Sequence, residues 1–306
     1  MRGVTQDERK TYEFLIGRRK TTVGDVKRGK IFFGGENMNI PILSDRFLEQ
    51  ACIFKNMCWR DLLVIRKKFF DELINCVTWP ISFAITFGYV LPSIGQDSKY
   101  GSFLMIGVVA STFFYLSMTL GNTLVDDFCS LRFFEHQLLV PVASYKMILW
   151  QRVFMFTIHG TLLSLPVIPI GKAVLLDKLD LSHICIGKLL LIAPLTGVLF
   201  GFFALWLASW VTSGAAFSSM WRRVYTPLQL FGCYWFSFAM FTKAFPVLGY
   251  ASLLVPLTYA TEGVRSSVLG PDGFINFWIS LSALTVYTIV FGWYAMQMLK
   301  RRLDMI

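Results

Sequence analysis

The chain has 306 residues and a net charge of +10, with 55% hydrophobic, 16% aromatic and only 16% charged residues and a mean hydropathy of +0.56. That balance excludes an ordinary soluble globular domain and points to an all-α polytopic membrane protein. The positive charge is not a nucleic-acid footprint, because it is distributed as the positive-inside rule distributes it: with the amino terminus inside, 23 of the 29 Lys and Arg fall on the inner side.

Residues 1–44 are polar and basic (GRRKTTVGDVKRGK) and read as a cytoplasmic tail without stable structure. No apolar leader opens the chain, so the first span is expected to act as the insertion signal. From residue 45 to 71, Phe47, Ala51, Phe54, Cys58, Leu62, Ile65 and Phe69 recur at steps of three and four. Such a stripe predicts an amphipathic helix, lying either in the inner membrane interface or against protein.

Residues 72–306 hold six runs long enough to cross a hydrocarbon core of about 30 Å. They lie near Leu73 to Ile94, Gly101 to Leu124, Met147 to Ile170, Ile184 to Val211, Pro227 to Phe245 and Phe274 to Leu299. None shows dyad alternation, so six transmembrane helices with both termini cytoplasmic are expected. Six scattered cysteines, at 52, 58, 76, 129, 185 and 233, give no disulfide pattern.

Two connections are unusual. After the second span, Asp126 and Asp127 favour a helix start, Phe128, Leu131, Phe134 and Leu138 continue at helical steps, and Pro141 ends it. A short cytoplasmic helix over about 126–141 is expected, with an apolar ridge facing lipid or a partner's groove and Glu135 beside it. Between the fifth and sixth spans, Phe245 to Gly273 is too apolar for an aqueous loop, yet Pro246, Pro256 and Pro271 cut it into pieces too short to cross. That predicts an outer re-entrant helical hairpin over about 246–271, with Glu262 and Arg265 paired at i and i+3.

Phosphate-binding glycine loops, zinc-protease and nucleophile-elbow motifs are absent from the sequence, so the chain is expected to be neither an ATPase nor another enzyme, and to bind no cofactor or metal itself. His159 is the histidine that falls in a span, where an interhelical hydrogen bond or a proton relay are the two readings. The central portions of the six expected spans lack Asp and Glu, which counts against ion coupling. Aromatics crowd the expected fifth span, with Phe231, Trp235, Phe238 and Phe245 near one face, as helix packing, lipid contact or the lining of a path.

From about Cys58 to Arg302 the sequence resembles the type-2 ABC exporter permeases, the group that contains multidrug, lipo-oligosaccharide and polysaccharide export subunits. WRDLLVIRKKF is similar to that family's basic interface helix, FFEHQLLVPVASYKMILWQR to its coupling segment, and VPLTYATEGVRSSVLG to its proline-threonine-tyrosine signature, with Val255 where Asn is usual. The resemblance implies a permease half that pairs with a second copy as a homodimer in the bacterial inner membrane. Each half docks a separate ABC ATPase subunit, which carries the ATP and Mg. By the same resemblance Glu135, Leu138, Leu139 and Pro141 form the ATPase-coupling helix, with Arg60 and Arg66 on the interface helix beside it. Pro256, Tyr259, Glu262 and Arg265 belong to the outer hairpin. An ion-coupled carrier or channel, and a membrane assembly protein that transports nothing, are the competing readings.

Overall fold

A computed structural model describes the backbone of residues 42–95, 100–129, 145–211 and 213–303, with side chains described for residues 50–95, 100–127, 146–176, 178–211 and 213–301. The described residues form helices and turns, with no strand among them. The helices are α1 (Ile42–Ile85), α2 (Tyr100–Cys129), α3 (Tyr145–Ser164), α4 (Val167–Leu175), α5 (Ile186–Trp210), α6 (Gly214–Met220), α7 (Thr226–Phe231), α8 (Phe238–Ala244), α9 (Pro246–Ser252), α10 (Pro256–Val268) and α11 (Phe277–Leu303). A π-helical turn, Thr86–Val90, extends α1 to Ser93, and another, Trp221–Tyr225, joins α6 to α7. Among the described residues, five stretches are long and apolar enough to cross a membrane: Gln50–Ser93, Tyr100–Asp127, Lys146–Leu175, Ile186–Trp210 and Phe277–Arg301. This is the architecture of a helical membrane protein.

The bundle is organised on α5, the most apolar helix, which packs against α2, α3, α10 and α11. Small residues let its neighbours approach closely, as is usual where helices meet in lipid. A Cβ built on Gly197 would meet Thr157 of α3 at 2.9 Å, and one on Gly160 of α3 would meet Phe113 of α2 at 2.6 Å. Phe113, Phe114, Phe200 and Phe203 fill the space between α2 and α5.

Helix α1 departs from the expected division into an interface helix over 45–71 and a separate first span. Its 44 residues run as one helix through the expected junction. At 1.5 Å per residue it is about 66 Å long, more than twice the hydrocarbon thickness, so part of it extends beyond any one crossing. Of the expected stripe, Phe54, Cys58, Ile65 and Phe69 are half-buried, whereas Ala51 and Leu62 are exposed. Arg60 pairs with its neighbour Asp61 at 2.8 Å, and Arg66 is exposed.

The acidic pair after the second span is placed differently from the expectation of a new helix start. Asp126 and Asp127 lie near the end of α2, where a carboxylate is opposed by the helix dipole. Arg152 of α3 compensates Asp127 at 2.9 Å. The rest of the expected coupling helix, including Glu135, Leu138, Leu139 and Pro141, lies outside the described residues.

The expected fifth span over Pro227 to Phe245 is not one helix. The chain is helical from Gly214 to Phe231, breaks at residues 232–237, and continues in the short helices α8, α9 and α10. The prolines mark starts, as predicted for residues without an N–H: Pro246 opens α9 and Pro256 opens α10. Because of the break, Phe231, Trp235, Phe238 and Phe245 do not share one helical face.

Candidate functional site: a buried ion pair beneath a broken helix

Helix α10 has the sequence PLTYATEGVRSSV, and every residue except Tyr259 is buried. Burying hydroxyls and charges is unfavourable unless each finds a partner. Ser266 and Ser267 donate to the Gly263 and Val264 carbonyls of α10 itself and Thr258 to Ser252 O, whereas Thr261 and Arg265 find partners in the break at 232–237. Cys233 adopts a left-handed backbone (φ 52°), the conformation that reorients the chain there. Four successive carbonyls then accept side-chain donors. Thr261 Oγ1 donates to Gly232 O at 3.1 Å, Arg265 Nη1 to Cys233 O at 2.6 Å, Arg265 Nη2 to Tyr234 O at 2.6 Å, and Tyr100 Oη to Trp235 O at 2.8 Å. Carbonyls that a continuous helix would satisfy internally are thus satisfied by α10 and the start of α2.

Arg265 is the centre of this arrangement. Its Nε donates to Phe103 O at 3.2 Å, and its guanidinium lies 3.6 Å from the centroid of the Phe103 ring, within cation–π range. Gly107, one turn further along α2, leaves room for it: a Cβ there would stand 2.5 Å from Nη2. Glu262, expected to pair with Arg265, lies 3.6 Å from Nη1, and both side chains are 0% exposed. Its carboxylate also accepts from Phe238 N and Ile275 N, each at 3.2 Å. One carboxylate therefore ties the first turn of α8 to the turn before α11. The planar, multi-donor shape of arginine suits this role, whereas a lysine would supply a point charge and too few donors.

The other two expected hairpin residues are less central. Pro256 is buried at the first position of α10. Tyr259 is half-buried, its ring 6.0 Å from that of Tyr287 on α11, whose hydroxyl donates to Leu253 O and Leu254 O. The network brings Glu262, Arg265 and the 232–237 break together, leaves Pro256 and Tyr259 at its edge, and does not include Arg60 or Arg66.

A second polar seam joins α1 to α3, and the sequence reading had only half of it. His159 Nε2 stands 2.5 Å from Glu72 Oε2, and neither atom has a hydrogen-bond partner otherwise. Asp61 of α1 accepts from the fully buried Gln151 at 2.7 Å. The two contacts climb both helices in the same direction, so α1 and α3 run parallel, as alternate helices of an up-and-down bundle do. Glu72 escaped notice because the expected first span began one residue later. The i, i+11 spacing of Asp61 and Glu72, which places both on one face, was the available signal. Among the described residues no cluster of His, Cys, Asp and Glu has the geometry to hold a metal ion.

No protein-family model matches the chain, and no curated protein is significantly similar to it.

Proposed function

We propose that the chain is the transmembrane permease subunit of an ATP-driven exporter of amphiphilic or lipid-linked substrates, acting as a pair with a second copy and driven by separate ATPase subunits. The observation that carries this reading is the set of short helices α8 to α10, each too short to cross, held between the Gly214–Phe231 helical run and α11 by buried polar contacts. Such a segment fits a re-entrant hairpin, whose irregular backbone is tolerated at membrane depth where protein covers it. In this reading the Gly214–Phe231 run is the fifth crossing, both termini are cytoplasmic, and the hairpin closes the outer end of the pathway. Since Glu262 and Arg265 are fully buried, they brace the hairpin, and substrate passes elsewhere.

On this reading the 126–141 loop with Glu135, Leu138, Leu139 and Pro141 seats in the ATPase, with Arg60 and Arg66 at the inner face, and ATPase closure moves the permease halves as rigid bodies. The test is purification of the full chain from its native host with its associated proteins. An ATPase is expected to copurify and to be lost in Glu135→Lys and Leu138→Asp while the permease stays folded; undiminished ATPase binding in both variants sinks the coupling assignment.

Glu72 against His159 favours a second reading, a proton-coupled carrier, because intramembrane acid–histidine pairs are common proton sites. Proteoliposomes separate the two. Flux driven by a pH gradient without ATP, and abolished by Glu72→Gln, selects the carrier.

A further inference from the structure

Helix α2 and the Gly214–Phe231 run lie side by side and antiparallel. A Cβ on Gly214 would meet Asp126 Oδ1 at 3.3 Å, Gly121 abuts Phe217, Ser117 Oγ is 3.2 Å from Tyr225 Oη, and the Tyr115 ring stacks on Trp221 at 5.7 Å. Tyr115, midway along α2, also hydrogen-bonds Gln229. This register places the π-helical turn Trp221–Tyr225, which carries Arg222 and Arg223, against the middle of α2. Both arginines are exposed, and neither forms an ion pair with a described residue.

The surface around them differs from the other exposed faces. Helix α11 exposes Ile279, Val286, Ile289 and Val290 with the hydroxyls of Ser282 and Thr285, and α1 exposes Ile74 and Ile85 with Asn75, Thr78 and Ser82, but neither face carries a charge between Leu73 and Ile85 or between Phe277 and Leu299. The α2 side of this face exposes Thr119, Thr123 and Asp126, with Asn122 half-exposed. Ionisable residues at such depth almost always border a bundle interior or a water-filled cavity. A π turn inside an otherwise α-helical run is itself frequent at functional sites.

We infer that the α2 and π-turn face is the substrate-binding surface of the proposed permease, and that it selects an anionic amphiphile, with Arg222 and Arg223 on the anionic head group and Trp221, Tyr115 and Gln229 along its neck. The inference rests on the export reading and narrows it by charge sign. Cationic drug-like amphiphiles are rejected, since neither arginine has an acidic ion-pair partner among the described residues.

The test uses the full chain in nanodiscs of neutral phosphatidylcholine, without nucleotide or ATPase, with empty nanodiscs subtracted. The probes are tetradecyl phosphate, tetradecyltrimethylammonium and tetradecyl maltoside. Tetradecyl phosphate is expected to bind at least about tenfold more tightly than either of the others, the worth of one good charge-assisted hydrogen bond. The double variant Arg222→Gln/Arg223→Gln loses that preference, and Arg222→Lys/Arg223→Lys, which keeps the charge, retains most of it. Equal binding of the three probes overturns the inference, and so does a preference that survives the double Gln variant, which would mean that the arginines only reach for lipid head groups. Because binding is read without ATP, anion binding by a chain that recruits no ATPase overturns the export reading alone, and ATP-driven flux without anion preference overturns this inference alone.

Discussion

Helices α10 and α1 invert the usual relation between polarity and burial. Helix α10 carries a carboxylate, a guanidinium and several hydroxyls and is almost wholly enclosed. Helix α1 is rich in Trp, Phe and Ile and exposes Trp59, Phe70, Ile74, Trp79 and Ile85. In lipid the apolar side chain has nothing to gain by turning inward, whereas a polar group must find a partner inside. What fixes the position of α10 is therefore a set of directed bonds, and what α1 offers is a surface with a few polar anchors.

The strongest way to break the contrast is to remove one side of the buried pair. Arg265→Met leaves Glu262 and the Cys233 and Tyr234 carbonyls without their cation, and loss of one partner of a buried pair costs about 3–5 kcal/mol. Thermal unfolding in detergent is expected to show a large fall in Tm or no folded protein. Adding Glu262→Leu to that variant should recover part of the loss, and a double variant as unstable as the single one would show that the carbonyl bonds, not the charge balance, dominate.

Gly107→Val is next. Its side chain enters the space occupied by the Arg265 guanidinium, an overpacking worth roughly 1–3 kcal/mol. The same melting assay should show a loss of Tm smaller than that of Arg265→Met and larger than that of Ile74→Ala on the exposed face of α1. Gln151→Leu removes the buried donor to Asp61 and should cost about 1–3 kcal/mol, the penalty for an orphaned polar group. Its particular signature is loosening of α1 from α3, read as faster hydrogen exchange in α1 with little change in α10. The smallest effect is expected for Ile74→Ala, within about 0.5 kcal/mol because that side chain is largely exposed. A larger loss there would reveal that a second copy covers this face.

Much of this contrast was readable from residue order, and the failures have physical causes. Apolar runs of about 20 residues located four of the expected spans well, since length and hydropathy are set by the bilayer. The prolines at 246 and 256 and the i, i+3 spacing of Glu262 and Arg265 located the short helices and their ion pair. The fifth run was misplaced because hydropathy does not register a backbone break: Gly232 to Ser237 is as apolar as its flanks, and what breaks it is a left-handed Cys233 paid for by donors some 30 residues away. The carbonyl partners of Arg265 were invisible for the same reason, since main-chain acceptors carry no sequence signature. Glu72 was missed at a boundary, and the extension of Gly214–Phe231 across Arg222 and Arg223 was hidden by their charge.

The central claim is that α8 to α10 enter and leave on one side of the membrane. Lys243→Cys and Asp272→Cys, both at exposed positions, would be placed singly in a cysteine-free chain and labelled with a membrane-impermeant maleimide in intact cells, with Ser213→Cys as the opposite-side reference. The account predicts that the first two label from outside and that the third labels only after lysis. Labelling of positions 243 and 272 from opposite sides would contradict it, because α8 to α10 would then cross the membrane.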